Sequence, residues 1–158
     1  MAVDCYFKLD SIQGEAADSK HQNEVQLISY SWGGTQTTSV AGTGGSGAGK
    51  VDLQNLSVQK YMDKSTPELF KAMCLGTHIK SGVLTAIKSG ANGQPFLTLT
   101  FGELFVTSLQ TSASGEIPME SVSFSYNTVK IEYSTQNEQG ILTATAAVSY
   151  NLKENVVS

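Results

Sequence analysis

The chain opens on strict alternation: Val3, Cys5, Phe7 and Leu9 share one parity, while Asp4, Tyr6, Lys8 and Asp10 share the other. A period of two with one polar side predicts a half-buried strand. A polar loop from Ser11 to Asn23 follows, and Glu24 to Trp32 reads as strand again. Within it Val25 and Leu27 give way to Ile28, Tyr30 and Trp32 on the opposite parity, which predicts a bulge or a strand covered on both faces. Residues 33–50 are nearly all Gly, Ser, Thr and Ala without periodicity, and read as an extended, mobile loop. Val51 to Tyr61 returns to strand.

One helix is predicted, beginning at Ser65-Thr66-Pro67-Glu68. Either Ser65 caps it and Glu68 closes a capping box, or Thr66 caps it with Pro67 at the first helical position. Leu69, Phe70 and Met73 would supply its apolar face, and Gly76 its stop, after about three turns. The rest is strand and turn. Ile79 to Lys88 is followed by the turn Ser89 to Gly93. Phe96 to Leu109 carries Leu97, Leu99, Phe101, Phe105 and Leu109 on odd positions, a long stripe broken by Gly102-Glu103. Ser121 to Tyr133 switches parity near Asn127-Thr128, predicting a bulge there. Ile141 to Leu152 places Leu142, Ala144, Ala146, Val148, Tyr150 and Leu152 on one face. The fold class expected is mainly β: a compact β-barrel or sandwich of two antiparallel sheets with one short flanking α-helix, forming one domain over residues 1–158.

Composition narrows the function classes. Only 15% of the 158 residues are charged, against roughly 25% in average globular proteins. Ser and Thr fill the gap with about a fifth of the chain, alongside 15 Gly. Long strands with little charge to guard their edges imply either closure or contact with other subunits. Net charge is −4, and all ten basic residues are Lys. Without Arg's bidentate fork, and without any run of Lys, nucleic-acid binding is not expected. No window approaches a membrane span, and the first residues lack the basic-then-apolar pattern of a signal peptide. Cys5 and Cys74 are expected as reduced, buried thiols, and Asn55-Leu56-Ser57 as an accidental sequon.

Tempting motifs fail on context. Gly44 to Lys50 matches the core of a phosphate-binding loop, but Val51 stands where Ser or Thr should hold magnesium, and a strand follows instead of a helix. No cofactor or metal site is expected, since His21 and His78 are far apart and two cysteines make no ligand pattern. Both histidines are read as solvated, and Asp63, between Lys60 and Lys64, as a modest surface ion pair. No Gly-x-Ser-x-Gly elbow supports a triad. Three readings stand at this level: a self-associating structural subunit, a β-sandwich ligand-binding or adhesive module using Tyr30 and Trp32 as a platform, and a Ser hydrolase.

Met1-Ala-Val-Asp4, Lys8, Gly14-Glu15, Asp18, His21, Glu24 and Tyr30-Ser31-Trp32-Gly33 resemble the Hcp family of type VI secretion tube proteins. Gly47-Ala48-Gly49-Lys50-Val51, the run Lys60 to Pro67, Val122-Ser123-Phe124, Val129, Ile131 and Tyr133 extend the resemblance in order to about residue 133. The resemblance implies a homohexamer whose rings stack into a tube inside a contractile sheath. It further implies a spike protein at the tip and effector proteins carried in the lumen. The protein would be cytoplasmic before firing and then secreted without a signal peptide, performing no reaction and entering no membrane. On this reading Gly42, Gly44, Gly45, Gly47, Gly49 and Lys50 are candidates for contacts between subunits or rings. Ser29 and Ser31 are candidates for a neutral wall facing cargo.

Overall fold

The computed structural model describes residues 3–39, 47–88 and 93–158. In chain order the strands are β1 (Val3–Leu9), β2 (Val25–Leu27), β3 (Ser29–Ser31), β4 (Gly34–Ser39), β5 (Gly47–Leu53) and β6 (Leu56–Tyr61). After helix α1 (Ser65–Leu75) come β7 (Ile79–Lys88), β8 (Pro95–Ser112), β9 (Met119–Ser125), β10 (Thr128–Gln136), β11 (Leu142–Asn151) and β12 (Val156–Val157).

All strand pairs are antiparallel, and the large sheet runs β12-β11-β10-β8-β7-β1-β2, with β9, β6 and β3 branching from β8. The branch arises because β8 is 18 residues long and changes partners midway. Its first half lies between β7 and β10, and residues 105–112 pair with β9. The sheet thus folds over on itself. Phe7 of β1 meets Phe124 of β9 edge-on at 5.5 Å between the layers, amid Leu56, Leu84, Leu99, Phe101 and Val122, all fully buried. A closed barrel, one of the two forms expected, is not found: β2, β3 and β12 each pair with one neighbour, so the described pairings complete no circuit.

Each parity shift in the sequence has a structural cause. Chain 25–31 is not one bulged strand; β2 pairs with β1, β3 pairs with β6, and Ile28 N–H bonds to Gln59 O at 2.7 Å between them. Near residue 127 the chain likewise turns a corner from β9 to β10 instead of bulging. Glu103, at φ 54°, kinks β8 and reverses its parity. Leu104 and Val106 are therefore buried, and Phe105 leaves the expected stripe for solvent. On β11 the expected apolar face divides, with Val148 exposed beside Ile131 of β10 while Tyr150 and Leu152 pack on the core.

The Gly/Ser/Thr-rich stretch is not simply a loop. β4 and β5 form a separate two-stranded sheet, and residues 40–46 lie outside those described. Ser, Thr and Gly still suffice for strand because the two backbones pair from Gly34 opposite Leu53 to Ser39 opposite Gly47, with a register shift between Gln36 and Thr38. It is anchored at its base by Gln54 N–H to Gly33 O, 2.8 Å.

The helix end is as expected: Gly76 takes a left-handed φ of 64°, and its N–H and that of Thr77 bond Met73 O and Ala72 O. The start differs from both alternatives. The capping box sits earlier, with Asp63 Oδ1 accepting Ser65 N–H at 2.9 Å and Thr66 Oγ1 accepting Asp63 N–H at 3.2 Å. Asp63 supplies a charged acceptor near the helix's positive end, so Ser65 and Glu68 are not needed there. Leu69 and Ala72 bury the inner face; Phe70, 53% exposed, points outward.

Candidate functional site

The sheet made of β3, β6, β9 and residues 105–112 of β8 has one face on the core. Its alternate residues face outward. Register aligns these into two rows: Ser29, Gln59, Ser121 and Gln110, then Ser31, Ser57, Ser123 and Ser108. Eight neighbouring side chains are thus hydroxyls or amides without a charge, and Ser29, Ser31, Gln59 and Gln110 are exposed. Ser29 Oγ approaches Gln59 Oε1 at 3.4 Å, so the face is only loosely cross-linked. One end carries exposed Tyr61 and Met119, directly opposite each other.

Ser29 and Ser31 therefore belong to a wider face of which the sequence reading named two members. The signal for the others was present: Ser57 and Gln59, Ser121 and Ser123 alternate with buried Leu56, Val58, Val122 and Phe124. Ser108 and Gln110 were hidden because the register of β8 against β9 shifts between Val106 and Ser108.

The β-strand edges bounding this face differ. β3 has β6 as its only partner, and residues 105–112 of β8 have β9 as theirs. Of the other candidates, Gly47, Gly49 and Lys50 lie on β5, in the separate two-stranded sheet, while Gly42, Gly44 and Gly45 lie outside the described residues. Beneath this hairpin a groove of about 430 Å³ is lined by Trp32, Leu53, Ile131, Val148 and Tyr150, with Lys50 also in its wall.

Several side chains depart from their expected settings. His21 is only 8% exposed, stacked parallel on Tyr6 at 4.4 Å with Nδ1 3.0 Å from Glu24 Oε2. The loop after β1 folds back over Tyr6 and removes it from water. His78 is exposed, as expected. Cys74 lies exposed on the outer face of α1, because that helix contributes only a narrow stripe to the core. Cys5 is half-buried, and burial, then Asp4, raises its pKa, which keeps its thiol protonated and unreactive. Asp63 is no surface partner: Lys60, 0% exposed, reaches Asp63 Oδ1 at 3.0 Å, and pairs with Glu120, 2% exposed. Trp32 is not a free platform, since it packs half-buried against Phe101 and donates Nε1–H to Tyr126 OH at 2.5 Å. Tyr30 packs on the core behind Ser29 and Ser31, and burial, followed by Cys5, raises its pKa.

Among the described residues no cluster of His, Cys, Asp or Glu could hold a metal ion, and no helix is long and apolar enough to cross a membrane.

Residues 6–133 match the family described as type VI secretion system effector, Hcp. Protein hcp1 of Pseudomonas aeruginosa is 36% identical over 160 residues, covering 99% of each chain. A solved type six secretion system protein superimposes with a TM-score of 0.95 at 28% identity, over 99% of this chain and 100% of its own. The crystal structure of Hcp1 from Salmonella typhimurium gives 0.82 at 35% identity over the whole of both chains. With a family match over most of its length and a full-length relative at this identity, the chain belongs to the Hcp family of type VI secretion system proteins.

Proposed function

We propose that this chain is a tube subunit: six copies close head-to-tail into a ring, rings stack, and the uncharged sheet face lines the channel. The observation that carries this reading is the aligned Ser and Gln face bounded by two unlike edges. A heterologous contact joins different patches and closes into a ring when the rotation allows. Setting β3 of one copy beside residues 105–112 of β8 in the next would pair backbone that otherwise faces solvent, and would continue the polar face around the circle. Hydroxyls and amides exchange readily between water and a passing protein, whereas apolar walls would stick to cargo and charged walls would sort it.

Gly47, Gly49 and Lys50 on β5 and the groove beneath it, together with Gly42, Gly44 and Gly45 of the same glycine-rich sequence, serve contacts between subunits or stacked rings. Six copies at −4 each give a ring of about −24, a repulsion that keeps stacks reversible. In the cell the tube stands within a contractile sheath, carries a spike protein at its tip and effector proteins in its lumen. It leaves the cytoplasm in one step when the sheath contracts, so no signal peptide and no catalysis are called for.

Native mass spectrometry with negative-stain imaging tests the assembly: a ring of six is expected, and a monomer at high concentration overturns it. Ser31→Gln is expected to form rings yet lose cargo, and unchanged cargo retention removes the lumen assignment. Deleting Gly44 to Ala48 is expected to weaken assembly while the domain stays folded; unchanged tubes refute the contact role.

A further inference from the structure

Lys60 and Glu120 are the buried charges of the core, and they stand directly opposite each other on β6 and β9. Lys60 Nζ also donates to Asp63 Oδ1 at 3.0 Å, Tyr61 O at 3.1 Å and Thr66 Oγ1 at 3.4 Å, and Thr66 Oγ1 donates to Glu120 Oε1 at 2.7 Å. Glu120 Oε2 is buried without a hydrogen-bond partner. A buried pair with one oxygen unsatisfied is a poor source of stability, and apolar residues of similar size often do as well or better. The arrangement needs another reason.

Register supplies it. A one-residue slip between β6 and β9 would turn core residues outward, so the hydrophobic pattern forbids it. A two-residue slip is different. In one direction Leu56 would oppose Tyr126, Val58 would oppose Phe124, and Ser57 and Gln59 would oppose Ser125 and Ser123. Apolar still meets apolar, and hydroxyl or amide still meets hydroxyl. In the other direction Ser57 would oppose Ser121 and Leu56 would oppose Val122. What either slip cannot accommodate is charge, because Lys60 would face Val122 or Pro118 and leave Glu120 without its partner. Removing one partner from a buried ion pair is strongly destabilising.

We infer that Lys60 and Glu120 are positioning residues that lock the β6–β9 register, and with it the alignment of the Ser and Gln rows, through a charge pair whose net stabilising effect is small. The Asp63 and Thr66 contacts extend the lock to the start of α1, so the strand end and the helix end move together. The inference concerns the single chain and holds whether or not rings form.

The test uses the full chain with Cys5→Ala and Cys74→Ser, and reads register by disulfide trapping. Ser57→Cys with Ser123→Cys reports the native register. Ser57→Cys with Ser125→Cys, or with Ser121→Cys, reports the two slips. With Lys60 and Glu120 present, only the first pair is expected to cross-link. In Lys60→Met/Glu120→Met the thermal midpoint is expected to be unchanged or higher, while cross-linking of a slipped pair rises tenfold or more. A folded double variant that cross-links only in the native register overturns the inference. If that variant does not fold, Lys60→Gln/Glu120→Gln, which keeps hydrogen bonding without charge, takes its place with the same readings. Failure of both charge-free variants to fold also overturns it, because the pair would then be a source of stability.

Discussion

Tyr126→Phe removes one oxygen that serves two partners. The hydroxyl accepts Trp32 Nε1–H at 2.5 Å and donates to Gln54 O at 2.8 Å. Each such bond contributes a net of about 1 kcal/mol, so the loss is about 2 kcal/mol. The larger penalty for stranded buried groups does not apply, because Trp32 is only partly buried and Gln54 is exposed, and both can recruit water. For a domain of this size that corresponds to a thermal midpoint lower by roughly 4–8 °C. Trp32 and Gln54 flank the hairpin, where Gln54 N–H also holds Gly33 O. Local loosening should accompany the global loss, seen as faster amide exchange in β4 and β5 than in β7 or β8. In Tyr126→Phe the emission of the single tryptophan adds a local readout of this corner. A cycle with Trp32→Phe, read by thermal midpoint, should return a coupling of about 1 kcal/mol. A midpoint shift under about 1 °C, or no coupling, refutes the account of this corner.

Three further outcomes follow from buried groups. Burial raises the pKa of Tyr6, Tyr30 and Tyr126 above 10.0 and of Cys5 above 9.0, with Asp18, Asp4 and Glu24 adding to the rise at Tyr6, and the Trp32 bond opposing it at Tyr126. Folding therefore favours their neutral forms. Their contribution is intact below pH 9 and is lost as pH climbs through 10 and above, so the urea midpoint should fall there; a flat profile from pH 9 to 11 would contradict it. Gly14→Ala would set a methyl 2.5 Å from Glu24 O and 2.6 Å from Val25 Cα, both backbone, at a cost of about 1–3 kcal/mol. Its urea midpoint should drop and the His21 ring resonances should shift, because the displaced segment holds that ring on Tyr6. Leu84→Ala opens the centre of the core, where Leu84 is fully buried, and should cost about 2–5 kcal/mol by chemical denaturation. A cost under 1 kcal/mol would show that the two layers are not packed as described.

Local pattern carried the strands well where one partner served a whole segment. β1 keeps Phe7 and Leu9 in the core as its alternation requires, although Tyr6 on the other parity is buried too, under the loop that follows; Gly76 stops the helix as its lack of a side chain allows. It failed where a strand changes partners. Glu24 to Trp32 looked like one strand, bulged or covered on both faces, and Ser121 to Tyr133 like one bulged strand, because period two records which way a side chain points and not which neighbour the backbone joins. The sequence shows Gly102-Glu103 as a break in the β8 stripe, but not that the left-handed backbone of Glu103 reverses the parity beyond it and moves Phe105 to the surface. The candidate face was half legible. Ser29 and Ser31 entered through family resemblance; Ser57, Gln59, Ser121 and Ser123 show as the polar parity of their strands, but setting all of them in rows with Ser108 and Gln110 needed registers across three strand pairs. Lys60 and Asp63 read as surface charges, since three residues between polar neighbours give no hint that Glu120, sixty positions on from Lys60, lies across from them.

An uncharged wall has a consequence for the strands that build it. Side chains that are nearly interchangeable make a smooth surface, but for the same reason they carry little information about alignment. Within this part of the sheet β8 and β9 have a geometric marker, the shift between Val106 and Ser108, which fixes one register by shape. No such irregularity marks β6 against β9. Placing a distinguishing group on the outer face would put charge or bulk among the serines, so the marker has to sit on the other side, in the core, where a charge is tolerated only beside its opposite. That is where Lys60 and Glu120 are. A polar face made uniform for passage and a buried pair made specific for register are then two sides of one requirement on the same two strands.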